Sequence, residues 1–433
     1  MVTSERRRFA AACAYAVVAT AASIWLLRDA FVNKLAWALK QGSGDCIVNW
    51  LGARAFDRGI DPYSPGGLHW AGLSGLGHPP TTPLFYLPFT AYGVFDLTRI
   101  FGELLIVMLL LHFILLAREL RAPMPIITAL LGYALVSDTT WWRYHVAMIQ
   151  VSEPSAFLYL LAWIFLRRRH DVTSGLMVGI AMAIKPYAAL LLILFALGRR
   201  WRAATAAVAM YLLFAAISTW RFGFSCWREF ATAIPGTQDM WASRIENGSI
   251  QGIVLRWWWP ACGPLGPTLG RATALVLLLS ILIVGIMAWL SREPLTPGSP
   301  ATSPDESVDL PFAMFVLASA WMNPVTWEHY YVTLIQPIGI AAFSAWRLKG
   351  RDRWRWLIAT ASILLCVVLL LSIDIQTKKQ IQTVWKHHQH LKLHLYEIGN
   401  WLPWPLTLVI CGALQWRRSR RPVAPAAAPE APA

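Results

Sequence analysis

The stretch RIFGELLIVMLLLHFILLA, residues 99–117, followed at once by Arg118-Glu-Leu-Arg121, decides the class of fold. An apolar run of that length spans a bilayer as a helix, because in hydrocarbon every backbone N–H and C=O must be satisfied within its own segment. Similar runs recur near residues 9–28, 124–140, 153–166, 204–220, 273–290, 311–322, 356–373 and 401–415. With 57% hydrophobic and 14% charged residues and a mean hydropathy of +0.48, the chain cannot be a soluble domain. It is expected to be an all-α, polytopic integral membrane protein with about nine to eleven crossings.

The formal net charge is +15, but the basic residues sit in short clusters between apolar runs. There they act as topology signals and contacts for anionic lipid head groups, so nucleic acid is excluded as a partner and membrane lipids are expected. The 24 tryptophans belong mostly to interfacial belts, with some available to stack on sugar rings. The six cysteines (13, 46, 226, 262, 366 and 411) show no metal-ligand spacing. Cys13, Cys366 and Cys411 fall in apolar runs and read as core residues, while Cys46, Cys226 and Cys262 lie outside, where a disulfide is open.

Toward the N-terminus from the opening stretch, His78-Pro79-Pro80-Thr-Thr-Pro83-Leu-Phe-Tyr86-Leu-Pro88 holds four prolines, which prevent a long regular helix. Before it comes a first outer loop, residues 29–80, containing Gln41-Gly-Ser-Gly-Asp45-Cys-Ile-Val-Asn49-Trp50 and Gly59-Ile-Asp61-Pro62-Tyr63. Arg6, Arg7 and Arg8 hold the front of the first span, read as an uncleaved anchor, in the cytoplasm, which puts this loop on the outer face. Residues 46–58 are expected to form a short interfacial helix, with Ile47, Leu51 and Phe56 near one face.

Toward the C-terminus, Trp141-Trp142-Arg143-Tyr144-His145 and Gln150-Val-Ser152-Glu153 lie between two spans. Arg167-Arg-Arg169-His170 follows, then Gly175-Leu-Met-Val-Gly179 leading to Lys185-Pro186-Tyr187 and Arg199-Arg-Trp-Arg202. Passing from residue 80 outside to Arg199 inside needs an odd number of crossings. Either residues 82–95 and 172–198 each cross once, which strands Arg118 and Arg167 to Arg169 outside, or both are re-entrant. Residues 291–309, rich in Pro, Ser and Thr, read as a disordered cytoplasmic linker within a membrane domain of residues 1–416, and residues 417–433 as a disordered cytoplasmic Pro/Ala tail.

Several polar residues stand out against this background. Asp45, on the outer face away from ATP and nucleotide sugars, reads either as a general base for an acceptor hydroxyl or as a solvated loop residue. Lys185 inside an apolar run reads as the partner of a phosphate or as a snorkelling lysine. His329, between Glu328 and Tyr330 at the outer end of a helix, orients a phosphate or hydroxyl, or is an interfacial histidine. Arg143, His145, Gln150 and Glu153 between two spans, and Arg244 and Asn247 in an outer loop, either bind sugar or phosphate or solvate loop ends. His387, His388, His390 and His394, interleaved with Lys386 and Lys392, read as an exposed basic face, so no metal is assigned. No nucleotide fingerprint, phosphate-cradling Gly-rich loop or Ser-His-Asp order is visible, and no cofactor is expected.

Over most of its length, from Asp45 to about Tyr331, the chain resembles glycosyltransferase family 87, polytopic GT-C enzymes that use polyprenyl-phosphate sugars. The resemblance rests on an ordered set: Asp45 with Gly59-Ile-Asp-Pro62-Tyr63; Pro79-Pro80 to Pro88; Gln150-Val-Ser; Gly175 to Gly179 with Lys185-Pro186-Tyr187; Arg199 to Arg202; Asn247-Gly-Ser249; and Pro324 with Trp327-Glu-His329-Tyr-Tyr. Ser152-Glu153-Pro154, the single histidine at position 329 and Cys46 depart from the family's usual pattern. The resemblance implies a GT-C-like fold in a bacterial inner membrane with its active site on the periplasmic side. It implies inverting transfer of a sugar, mannose above all, from a polyprenyl-phosphate donor to a glycolipid or glycan acceptor. Asp45 would be the base, and Lys185, His329, Arg143, Gln150, Asn247 and Tyr63 would contact donor phosphate or sugar. The rival readings are a lipid-linked sugar transporter or flippase without chemistry and a membrane assembly factor.

Overall fold

The computed structural model describes residues 44–64, 76–137, 139–242, 244, 247–258, 266–292, 304–370 and 400–420, with isolated positions between 13 and 28. Among the described residues all regular structure is helical. In order the helices are α1 (Gly44–Asp57), α2 (Val94–Glu119), α3 (Pro125–Ser137), α4 (Thr140–Met148), α5 (Ser152–Arg167), α6 (Asp171–Ile184), α7 (Leu191–Leu197) and α8 (Trp201–Phe222). They continue as α9 (Ser225–Ala242), α10 (Ile250–Trp258), α11 (Gly266–Ser291), α12 (Asp309–Trp321), α13 (Ile335–Trp346), α14 (Gly350–Leu370) and α15 (Pro403–Ser419). The histidines from 387 to 394 and Cys262 lie outside the described residues.

Among the described residues three helices are long and apolar enough to cross a membrane: α2, α8 and residues Thr273–Ser291 of α11. Their surfaces say which way they face. On α2, Leu105, Ile106, Leu109 and Leu116 are buried while Leu104, Val107 and Leu111 are exposed, and α11 exposes Leu277, Leu278, Ile281 and Leu282. A belt of exposed aliphatic side chains of that extent belongs against hydrocarbon. The chain is an all-α polytopic membrane protein.

Ion pairs, several of them buried, resolve the topology that hydropathy left open. Arg167 pairs with Glu119, Glu306 and Asp309; Arg168 also pairs with Glu119; and Arg347 reaches Glu306. Arg200 pairs with both Asp171 and Asp305, and the Asp305 N–H donates to the Arg167 carbonyl. The ends of α2, α5 and α13 and the starts of α6, α8 and α12 therefore share one face. Residues 172–198 leave that face as α6, reach Lys185 and return through a 3-10 turn (Pro186–Leu190) and α7. Residues Pro83–Phe89 form a 3-10 helix that stays on the opposite face, where the Phe89 carbonyl accepts from the Trp50 indole at 2.9 Å. The re-entrant reading is the one realised, and Arg118, Arg167 to Arg169 and Arg199 to Arg202 stay together.

Three expectations change. Helix α1 is not interfacial: Cys46, Asn49, Trp50, Ala53 and Ala55 are all enclosed by protein. The far end of the expected disordered linker is folded, because its acids have arginine partners: Glu306–Val308 is a 3-10 turn and Asp305 and Asp309 are buried. Cys46 and Cys226 are free thiols, and of the cysteines read as core, Cys411 is buried but Cys13 is exposed.

Candidate active site

The site lies at the end of α5 remote from the arginine cluster. At 16 residues and ~1.5 Å rise per residue, α5 separates the two by about 24 Å. Lys185 is its centre, and its position follows from the sequence. Gly175 and Gly179 let α6 lie directly on α8, where a Cβ at either position would run into the carbonyl of Ala203 or Ala207. The residue before Pro186 is disfavoured in helical conformation, so Lys185 ends α6 with φ −142° and ψ 110°. The last carbonyls of a helix need other partners. Here the hydroxyls of Thr81 and Thr82 donate to the Ala183 and Ile184 carbonyls at 2.5 and 3.0 Å.

Lys185 is 3% exposed. Its ammonium donates to the Ser152 hydroxyl at 2.9 Å and sits 3.7 Å from the Tyr330 ring centroid, a cation–π contact. An ammonium has three N–H donors, so capacity remains for an anion. Its charge is also felt at Asp45, His78, His145 and His329.

Asp45 occupies the first turn of α1, where the helix dipole favours a carboxylate. It keeps partial exposure, so a substrate can reach it. Its carboxylate accepts from the Gln150 side-chain amide, and its carbonyl accepts from Asn49 at 3.0 Å. Surrounding protein raises its pKa above the ordinary 3.8, with the Gln150 hydrogen bond and the Lys185 charge opposing. Gln150 is aimed by a tight turn in which Ile149, a β-branched residue, adopts left-handed φ 47° and ψ 61°.

His329 is 5% exposed, and its carbonyl accepts from His145 Nδ1 at 3.2 Å. Tyr63 donates its hydroxyl to the His78 carbonyl at 2.6 Å, while its N–H donates to Asp61. Tyr63 thus holds the His78 segment beside Lys185. Asn247 is placed one step back: its amide donates to the Pro324 carbonyl at 3.0 Å and its oxygen accepts from the N–H of Thr326 and Ser249. It fixes the segment leading to His329. Arg143 lies on α4, and its side chain falls outside the described residues.

Sequence reasoning did not single out His78, Ser152, Tyr187 or Tyr330. The stiff Pro79-Pro80 pair after His78 and the aromatic residues flanking Lys185 and His329 were the available signals. Buried ring atoms without hydrogen-bond partners, His78 Nδ1, His145 Nε2 and His329 Nδ1, together with the Tyr187 hydroxyl, collect around Lys185. Such groups favour a polar ligand. Among the described residues no cluster of three or more His, Cys, Asp or Glu side chains is arranged to hold a metal ion.

Fold and site together define a polytopic membrane protein with one oriented carboxylate beside one buried cation. The family model for glycosyltransferase family 87 matches residues 77–302, just over half of the chain, and the chain belongs to that family. It is a glycosyltransferase. A curated relative from Mycobacterium tuberculosis (strain ATCC 25618 / H37Rv), a polyprenol-phosphate-mannose-dependent alpha-(1-2)-phosphatidylinositol mannoside mannosyltransferase, is 24% identical over 356 residues, covering 76% of this chain and 77% of its own. No solved structure matches.

Proposed function

We propose that the protein transfers mannose from polyprenyl-phosphate mannose to a hydroxyl of a glycolipid acceptor, inverting the anomeric configuration, on the membrane face opposite the arginine cluster. The observation that carries this reading is the pairing, in one site, of the Gln150-oriented Asp45 carboxylate with the buried Lys185 ammonium. Asp45 takes the proton of the acceptor hydroxyl as its oxygen attacks the anomeric carbon. The bond from that carbon to the phosphate oxygen breaks, and polyprenyl phosphate leaves with a second negative charge. Lys185, His329 and Arg143 hold that developing charge. The relative's activity supports both the donor and the glycolipid acceptor. The arginine cluster, kept in the cytoplasm by the positive-inside rule, supports an extracytoplasmic, periplasmic site.

The test is transfer of labelled mannose from synthetic polyprenyl-phosphate mannose to phosphatidylinositol mannoside by the purified protein in nanodiscs, wild type beside Asp45→Asn. Product from wild type alone, with the configuration inverted, supports the reading. Equal product from both variants removes Asp45 as the base, and retained configuration removes the single displacement.

A further inference from the structure

The His145 ring on α4 is fully enclosed, with Trp142 stacked on it at 5.0 Å between ring centroids. Its Nδ1 faces the His329 carbonyl at 3.2 Å. A carbonyl oxygen only accepts, so Nδ1 carries the proton. Burial lowers the pKa of His145 from 6.5 to about 3, with the His329 carbonyl opposing and Lys185 assisting, so the ring is neutral. Nε2 is then a bare lone pair, buried and without a hydrogen-bond partner. A buried acceptor left in that state is costly, and a ligand that donates to it relieves the cost.

The substrates of the proposed reaction offer few donors. The phosphate of the donor carries only acceptor oxygens and is repelled by a lone pair. The polyprenyl chain is apolar, and the reacting acceptor hydroxyl belongs to Asp45. The hydroxyls of the transferred sugar and the non-reacting hydroxyls of the glycolipid acceptor remain, and position separates them. The ring centroid of His145 lies 6.4 Å from that of His329 and the Lys185 charge reaches the ring, so the ring stands among the residues assigned to the leaving phosphate, next to which the transferred sugar sits while the acceptor lies on the Asp45 side.

We propose that His145 Nε2 accepts a hydrogen bond from one hydroxyl of the transferred sugar and so contributes to sugar specificity. This rests on the glycosyl-transfer reading above.

The experiment measures kcat/KM in nanodiscs for polyprenyl-phosphate mannose and a set of monodeoxy analogues, one for each sugar hydroxyl, with wild type and His145→Asn. Asparagine keeps an amide donor for the His329 carbonyl and removes the Nε2 acceptor. Wild type is expected to lose about tenfold to hundredfold on one analogue. His145→Asn is expected to lose a similar factor on the parent donor and to treat that analogue and the parent alike. A variant that keeps every wild-type deoxy penalty overturns the proposal. So does a wild type indifferent to every deletion, an outcome that does not depend on the variant folding. A wild type inactive on the parent donor instead overturns the glycosyl-transfer reading, and this proposal with it.

Discussion

Gln150 donates its side-chain amide to the Asp45 carboxylate across 105 positions of chain, joining the turn after α4 to the first turn of α1. The bond orients the carboxylate and opposes the upward pull of burial on its pKa. Gln150→Ala leaves Asp45 aimed only by its own helix. Its kcat is expected to fall about tenfold or more with little change in donor KM, because orientation of the base matters chiefly in the transition state. Steady-state kinetics in nanodiscs check this. A rise in KM at constant kcat would instead assign Gln150 to substrate binding.

The same carboxylate sets a pH dependence. The proposed base role requires Asp45 ionised, so activity is expected to be lost as pH falls through its pKa, with the acid limb above 3.8. Stability runs the other way. A carboxyl whose folded pKa is raised favours the folded state below the unfolded pKa and loses that contribution as pH rises through the folded one. At neutral pH ionised Asp45 therefore opposes folding. Asp45→Asn is expected to lose about 10²- to 10⁴-fold in rate while unfolding at the same or a higher temperature than wild type. A lower Tm for the variant would contradict the desolvation argument.

Two histidines act oppositely on stability. Burial first, and Lys185 as well, lower His78 to about 3, and His145 is lowered to about 3 as described above. A group depressed by folding contributes stability above its unfolded pKa of 6.5 and loses it as pH falls toward the folded value. Thermal unfolding is expected to shift downward between pH 6.5 and 3, and His78→Asn should flatten part of that slope. An unchanged slope would remove His78 as its source.

Much of the fold is legible in the sequence because an apolar run long enough for hydrocarbon has few alternatives. Spans expected near 99–117, 204–220 and 273–290 appear as α2, α8 and α11. Residues 82–95 and 172–198 were ambiguous because hydropathy measures length and not direction. Their course is fixed by Thr81 and Thr82 capping α6, and by Arg200 meeting Asp171 and Asp305. Asp305, Glu306 and Asp309 carry no hydrophobic period, so composition alone reads them as linker. Their partners Arg167, Arg200 and Arg347 come together only in the folded chain. Lys185 stood out because a cation in an apolar run is costly, whereas its contact with Ser152 and the bond from His145 to the His329 carbonyl are tertiary facts that no local spacing encodes.

The glycine pair of α6 is a packing requirement with a functional consequence. A side chain at Gly179 would meet both the Ala207 carbonyl and the Met210 side chain, and α6 would have to move away from α8. Gly179→Leu is expected to cost about 1–3 kcal/mol or more through overpacking. It should also reduce turnover by displacing Lys185 at the end of the same helix. Unfolding temperature and donor binding, measured together, check this, and wild-type values for both would show that the helices do not need this contact.

Arg167 offers the most severe test of the architecture. It is 1% exposed and faces Glu119 at 2.9 Å and Asp309 at 2.8 Å, with Glu306 at 3.6 Å, far from the proposed chemistry. A buried charge network adds little net stability compared with apolar packing, yet removing one member leaves the others uncompensated. Arg167→Met strands the buried Asp309 carboxylate, leaves Glu119 to Arg168 alone, and is expected to destabilise by about 3–5 kcal/mol. Replacing Asp309 together with it, as Arg167→Met with Asp309→Asn, removes that stranded charge and should recover part of the loss. The comparison isolates charge compensation from lost packing: if the double variant is as unstable as the sum of the two single ones, the cluster does not act as a network.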